Sequence, residues 1–173
     1  EVTIPGRSTD TVRFTPFIYG TNANKWEPGA KNPPLYKVML FTRRDGAYRE
    51  YMPLKIGFGK TELVDGRLTR FDKELKLVKA GYNAAADRKT TLAELKTLKA
   101  KGNNTICPDY PQPGWFYDLC DELGLYVIDC ANINAPEKRD DRKVGGTPSN
   151  DPSLADEYLE RVKAMYYRSR NHS

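Results

Sequence analysis

Two aspartates stand where carboxylates could do chemistry. Asp109 and Asp129 each follow a short apolar run, Thr105 to Cys107 and Leu125 to Ile128. A pair of carboxyl groups at neighbouring strand ends is what acid/base catalysis recruits. Asp129 is read here chiefly as an anchor for its strand end, and the pairing is the lesser reading. Asn83, Asp109, Tyr110, Asn132 and Asn134 form a wider polar set at the same kind of position. Asn and Asp also suit loop capping and turn formation, so that plain role stands beside any chemical one. Cys107, Cys120 and Cys130 are odd in number and lack CxxC spacing. With His172 the sole histidine, a zinc site has no support, and buried free thiols are expected. No GxGxxG or P-loop pattern occurs, so nothing points to a nucleotide.

Those residues need elements to hold them, and the chain changes character near residue 80. Before it, strands and turns dominate. Val12 and Phe14 share one face of an alternating run from Thr11 to Phe17. Residues 20–34 are rich in Asn, Gly and Pro and read as a loop, with Trp26 in it as a surface plug between domains. Leu35 to Phe41 is a strong strand, and Arg44-Asp45-Gly46 turns into another over Tyr48 to Met52. Thr61 to Val64 and Arg67 to Thr69 flank Asp65-Gly66, a pair that tolerates the positive φ of a tight hairpin.

After residue 80 strands alternate with helices. Leu75 to Ala80 is a strand. Thr91 is expected to cap a helix, with Glu94 closing a capping box, Leu92, Leu95 and Leu98 as the apolar stripe, and Gly102 beyond the end. Thr105 to Cys107 is a strand. Trp115 to Leu123 is a helix stopped by Gly124, with Trp115 read as core. Leu125 to Asp129 is a buried strand, and a long loop containing Gly145-Gly146 follows. Asp151 and Pro152 open a last helix, with Leu154, Tyr158, Leu159, Val162, Met165 and Tyr166 on one side and a Glu157–Arg161 pair on the other. Alternation of this kind implies βαβ units and a parallel sheet, in an open or a closed form equally.

Composition narrows the class. The 173 residues are 39% hydrophobic and 11% aromatic, enough for a packed core. A net charge of +5 is spread over helix faces beside acids, without the clustered patch that nucleic acid requires. No apolar run nears the roughly 18 residues of a membrane span, and no signal peptide is visible, so a soluble protein of unstated compartment is expected.

Six segments, in order, resemble glycoside hydrolase family 2 of the β-galactosidase type. They are Asn32-Pro33-Pro34-Leu35-Tyr36, Ile56-Gly57-Phe58-Gly59-Lys60, Val64-Asp65-Gly66-Arg67-Leu68, the run from Leu119 to Asp129, Asp129-Cys130-Ala131-Asn132-Ile133, and Arg168-Ser169-Arg170-Asn171-His172. The resemblance implies an α/β chain with an immunoglobulin-like β-sandwich segment over 1–66. Residues 67–173 would then be the first three βα units of a TIM-type (β/α)8 barrel.

Retaining glycosidases of this kind use two carboxyl groups about 5 Å apart. By the resemblance both are glutamates beyond the third helix, so none of the 173 residues inherits a catalytic role and the chain alone is expected to be inactive. Barrel sites gather at the carboxyl ends of strands. At the first end, where the family has G-V-N-R-H-E, Asn83 is kept and Ala84, Ala85 and Ala86 replace Arg, His and Glu. At the second, Cys107-Pro108-Asp109-Tyr110-Pro111 is one residue shorter than R-x-S-H-x-P and lacks its Arg and His. At the third, Cys130, Asn134 and Pro136 stand for Glu, Glu and His, of which the last two are metal ligands in β-galactosidases. Asn is a weak neutral ligand and Pro136 offers none, so no cofactor or metal is expected.

What remains, Asn83, Asp109, Tyr110, Asn132 and Asn134, reads as a substrate-binding rim: amides and a carboxylate for sugar hydroxyls, and Tyr110 for a sugar face. Three functions follow from these residues. The chain is part of a galactoside hydrolase, or a degenerate member that binds glycan or protein without cutting, or a structural module. Expected partners are carbohydrate and the rest of a parent chain or an oligomer, with neither nucleic acid nor membrane.

Overall fold

The computed structural model describes residues 3, 5–11, 13, 24–133 and 150–173. The run from Thr11 to Phe17 lies largely outside them, and Gly145-Gly146 wholly so. Strands β1 (Tyr36–Arg44) and β2 (Ala47–Ile56) form an antiparallel ribbon. Its turn is Asp45-Gly46, with φ of 52° and 78°. A second hairpin joins β3 (Thr61–Val64) to β4 (Arg67–Arg70) through Asp65-Gly66, at 48° and 75°. Both turns have two positive φ values in succession, the twist that a two-residue hairpin needs. A short β5 (Lys73–Glu74) extends the second hairpin to three strands.

The rest is β6 (Lys79–Tyr82), α1 (Arg88–Ala100), β7 (Thr105–Pro108), α2 (Gly114–Leu123), β8 (Tyr126–Val127), a 3₁₀ turn over Pro152–Leu154 and α3 (Ala155–Ser169). β6, β7 and β8 pair in that order, all parallel. Successive strands therefore return in one direction through helices, as the alternation predicts. The core lies between sheet and helices: Leu95, Ile106, Phe116, Leu119, Cys120 and Leu125 are buried, with Leu92, Leu98 and Trp115 packed against them. Each buried leucine or phenylalanine contributes about 2 kcal/mol relative to exposure. Gly124, at φ 70°, ends α2, and its carbonyl accepts from Gly29 N.

Several expectations need correction. The first parallel strand starts at Lys79 rather than Leu75, because Leu75 N still bonds Leu68 O in the hairpin sheet. The α1 cap is Asp87, whose carboxylate accepts from Lys89 N and Thr90 N. Thr91 is buried inside the helix, and Glu94 accepts from the Tyr82 hydroxyl instead of closing a capping box. β8 is two residues long, although Ile128 N continues the ladder to Ile106 O. Asp151 caps the 3₁₀ turn that leads into α3. The Glu157–Arg161 pair forms, but Leu159, Val162 and Tyr166 remain exposed.

Trp26 is the largest correction. It is fully buried, not a surface plug. Its indole N–H donates to Asp121 O at 2.8 Å, and its ring meets Tyr126 with centroids 5.4 Å apart. The Arg70 guanidinium lies 5.2 Å from that ring and donates to Trp26 O and Thr61 Oγ1. The hairpins are thus tied to the parallel sheet, with Lys55–Glu122 (2.6 Å) and Gly57 N–Ser173 Oγ (2.9 Å) as further links.

Candidate functional site

In the parallel sheet Tyr82 is in register with Pro108, and Ile106 with Val127. Asn83, Asp109 and Asn132 therefore all come after the carboxyl end of their strand, on one edge of the sheet. Asn83, Asp109 and Asn132 are exposed and Tyr110 is half-buried. Asp109 N donates to Tyr82 O, which joins the first two strand ends directly. Asn132 O accepts from Arg161 of α3. Asn134 and Pro136 lie outside the described residues.

Asp129 is committed to structure. One carboxylate oxygen accepts from the Tyr117 hydroxyl at 2.8 Å and from Cys130 N at 3.0 Å. The other accepts from Arg168 and from Ser169 Oγ, both at 2.6 Å. Burial alone would raise its pKa, but hydrogen bonds from Ser169, Arg168, Tyr117 and Cys130 N outweigh burial and hold it below the ordinary value. A carboxylate so engaged has no free lone pair with which to take a proton from water, so geometry opposes the Asp109–Asp129 acid/base pairing. Tyr117 is pushed up to about 12, first by burial and then by Asp129, so its hydroxyl stays a donor. Burial, followed by the Asp129 charge, raises the Cys130 thiol as well.

The positions that stand for the family's metal ligands by resemblance, Asn134 and Pro136, lie outside the described residues. By residue type alone, a neutral amide and a proline side chain do not fit a magnesium ion. Among the described residues no group of three His, Cys, Asp or Glu side chains is placed to hold a metal.

Gln112 gave no sequence signal beyond its place between Pro111 and Pro113, yet it organises this edge. It is 7% exposed. Its Oε1 accepts from Ala85 N at 2.7 Å, and its Nε2 donates to Tyr110 O at 2.7 Å and Asn83 O at 3.4 Å. Its backbone N–H donates to the Tyr117 hydroxyl at 3.1 Å. His172, set aside as a zinc ligand, pairs with Asp121 at 2.7 Å beneath the same helix. A cleft of about 900 Å³ opens on the far flank of α2, lined by Val38, Leu54, Lys55, Asp118, Glu122 and His172 among others. It contains none of the strand-end residues, and the Lys55–Glu122 pair is part of its wall.

Parallel strands alternating with helices, with polar residues collected past the strand ends, define an α/β segment of the kind found in barrels and doubly wound sheets alike. The sequence profile of "Glycosyl hydrolases family 2, TIM barrel domain" matches residues 81–173, and the chain belongs to that family. It is 32% identical over 161 residues to a β-galactosidase of Lactobacillus delbrueckii subsp. bulgaricus, covering 83% of this chain and 16% of that protein. To a β-galactosidase of Streptococcus thermophilus it is 30% identical over 158 residues, covering 83% and 15%. A β-glucuronidase from Ruminococcus gnavus shares the fold with a TM-score of 0.70 at 20% identity, covering 87% of this chain and 26% of that one. The chain thus spans less than a fifth of the curated relatives it matches. No helix among the described residues is long and apolar enough to cross a membrane.

Proposed function

We infer that this chain is part of a family 2 glycoside hydrolase whose whole protein cleaves β-galactoside-like bonds with retention. Residues 1–66 would be an immunoglobulin-like sandwich segment, and 67–173 the first three βα units of the (β/α)8 barrel. The observation that carries this reading is identity of about 30% to β-galactosidases across most of the chain, together with a parallel sheet whose polar residues share one edge. The rim would be Asn83, Asp109, Tyr110, Asn132 and Asn134, with carbohydrate as ligand. Exposed Met39, Phe41, Tyr51 and Leu54 on the ribbon, and Tyr166 and Tyr167 on α3, fit contact with the rest of a parent chain or an oligomer.

The 173 residues alone would not turn over substrate, because Asp129 is engaged in four hydrogen bonds and, among the described residues, no second strand-end carboxylate is free to work with Asp109. The purified chain is expected to hydrolyse a chromogenic galactoside at background rate. Turnover clearly above background would defeat this mapping. A second reading, glycan binding without cleavage even in the whole protein, is favoured by Ala84 to Ala86 and Cys130 at the strand ends. Calorimetry with lactose separates it from a purely structural role: heat without turnover supports binding, and no heat sinks the rim.

A further inference from the structure

A buried glutamine whose side-chain polar atoms are all bonded to main chain is costly to place and rigid once placed. Gln112 is such a residue, and its partners come from two different strand-end loops. Ala85 N and Asn83 O belong to the loop after β6, and Tyr110 O to the loop after β7. The β6–β7 ladder ends at Tyr82 and Pro108, with a last link from Asp109 N to Tyr82 O. Beyond that point the Gln112 side chain is what joins the two loops. Pro111 and Pro113 on either side restrict φ, so the loop that presents the glutamine is itself stiff. From Gln112 N the connection continues through the Tyr117 hydroxyl to Asp129 at the third strand end.

We propose that Gln112 is the positioning residue of the strand-end rim, fixing the loop of Asn83 against the loop of Asp109 and Tyr110 so that the three present one preset surface. The proposal rests on the rim reading for its function, but the coupling of the loops stands on the hydrogen bonds alone. Gln112 touches no ligand in this role. It limits the freedom of residues that would, and rigid placement of binding groups lowers the ordering cost of binding. The two polar ends of the side chain make different links: Oε1 holds Ala85 N of the first loop, and Nε2 bridges Asn83 O of the first to Tyr110 O of the second.

The test is amide hydrogen exchange on the full chain, with Gln112→Met and Gln112→Glu beside the wild type. Gln112→Met keeps length and loses every side-chain bond. Amide exchange at 83–86 and at Asp109 and Tyr110 should both quicken at least tenfold, with the amides of α1, α2 and β7 unchanged. Gln112→Glu keeps an acceptor for Ala85 N and loses both donations, so Ala85 should stay protected while Asp109 and Tyr110 loosen. Unchanged exchange in either loop of Gln112→Met, or quickening spread evenly over the helices, overturns the proposal. Lactose calorimetry on the same proteins reads the function separately. If the wild type binds, Gln112→Met should bind at least tenfold more weakly, and equal affinity refutes a positioning role. If the wild type gives no heat, the rim reading falls, and the exchange data still decide the loop coupling.

Discussion

Replacing Asp129 with Asn keeps the shape of the side chain and removes its charge. In the folded chain that carboxylate accepts from Tyr117 Oη, Cys130 N, Arg168 and Ser169 Oγ at 2.6 to 3.0 Å, and its side chain is 12% exposed. The Asp129→Asn side chain would present an amide N–H₂ to groups that are themselves donors. A hydrogen bond to a charged group is worth about 1.5–3 kcal/mol, and breaking a buried pair from one side costs about 3–5 kcal/mol. Arg168 is 34% exposed and can turn to water, which lowers the cost to about 3 kcal/mol. With a urea m-value of about 2 kcal/mol/M, the midpoint should fall by about 1.5 M. The pH dependence gives a second readout. Asp129 has a folded pKa below its ordinary 3.8. Its contribution is fully present above that value and is lost as pH falls through the lower, folded value. The variant should lack that acid-side loss. A midpoint within about 0.3 M of wild type at pH 7, or identical acid profiles, would refute the anchoring role.

Gly59 is packed against Arg70, and an added Cβ would sit 2.0 Å from its guanidinium nitrogen. Gly59→Ala should cost about 2–3 kcal/mol by displacing Arg70 from Trp26, and a melting temperature unchanged within about 2 °C would count against that packing. His172 has its pKa raised above 6.5 chiefly by the hydrogen bond to Asp121. Its stabilisation is fully present below pH 6.5 and fades as pH rises through the higher folded value. His172→Gln should flatten that alkaline-side loss in urea titrations, and a profile that keeps it would assign the loss to another group.

The elements were legible because each rests on many residues at once. Two Asp-Gly turns, the leucine spacing of α1 and Gly124 after α2 all announce local geometry that needs no distant partner. Thr91 and Glu94 mimicked a capping box because the motif is four residues long, while Asp87 lay outside it and had the cap. Trp26 read as a surface residue because its loop is polar. Its burial depends on Arg70, Asp121 and Tyr126, which lie 44, 95 and 100 positions away in the chain, and no local pattern encodes that.

The site is the harder case for the same reason. A barrel core tolerates exchange of one apolar residue for another, so identity near 30% still specifies the fold. A strand-end site consists of a few side chains whose meaning lies in which partner each has. Asp129 reads chiefly as an anchor already in sequence, and its four donors show which groups it anchors. Gln112 looks like filler between prolines, and only its three main-chain partners show that two loops depend on it. Ala84 to Ala86 and Cys130, which by the resemblance stand for polar residues of the family, leave those anchors in place. Fold and strand-end geometry rest on anchors of this kind, so membership of the family is a firmer statement about architecture than about turnover.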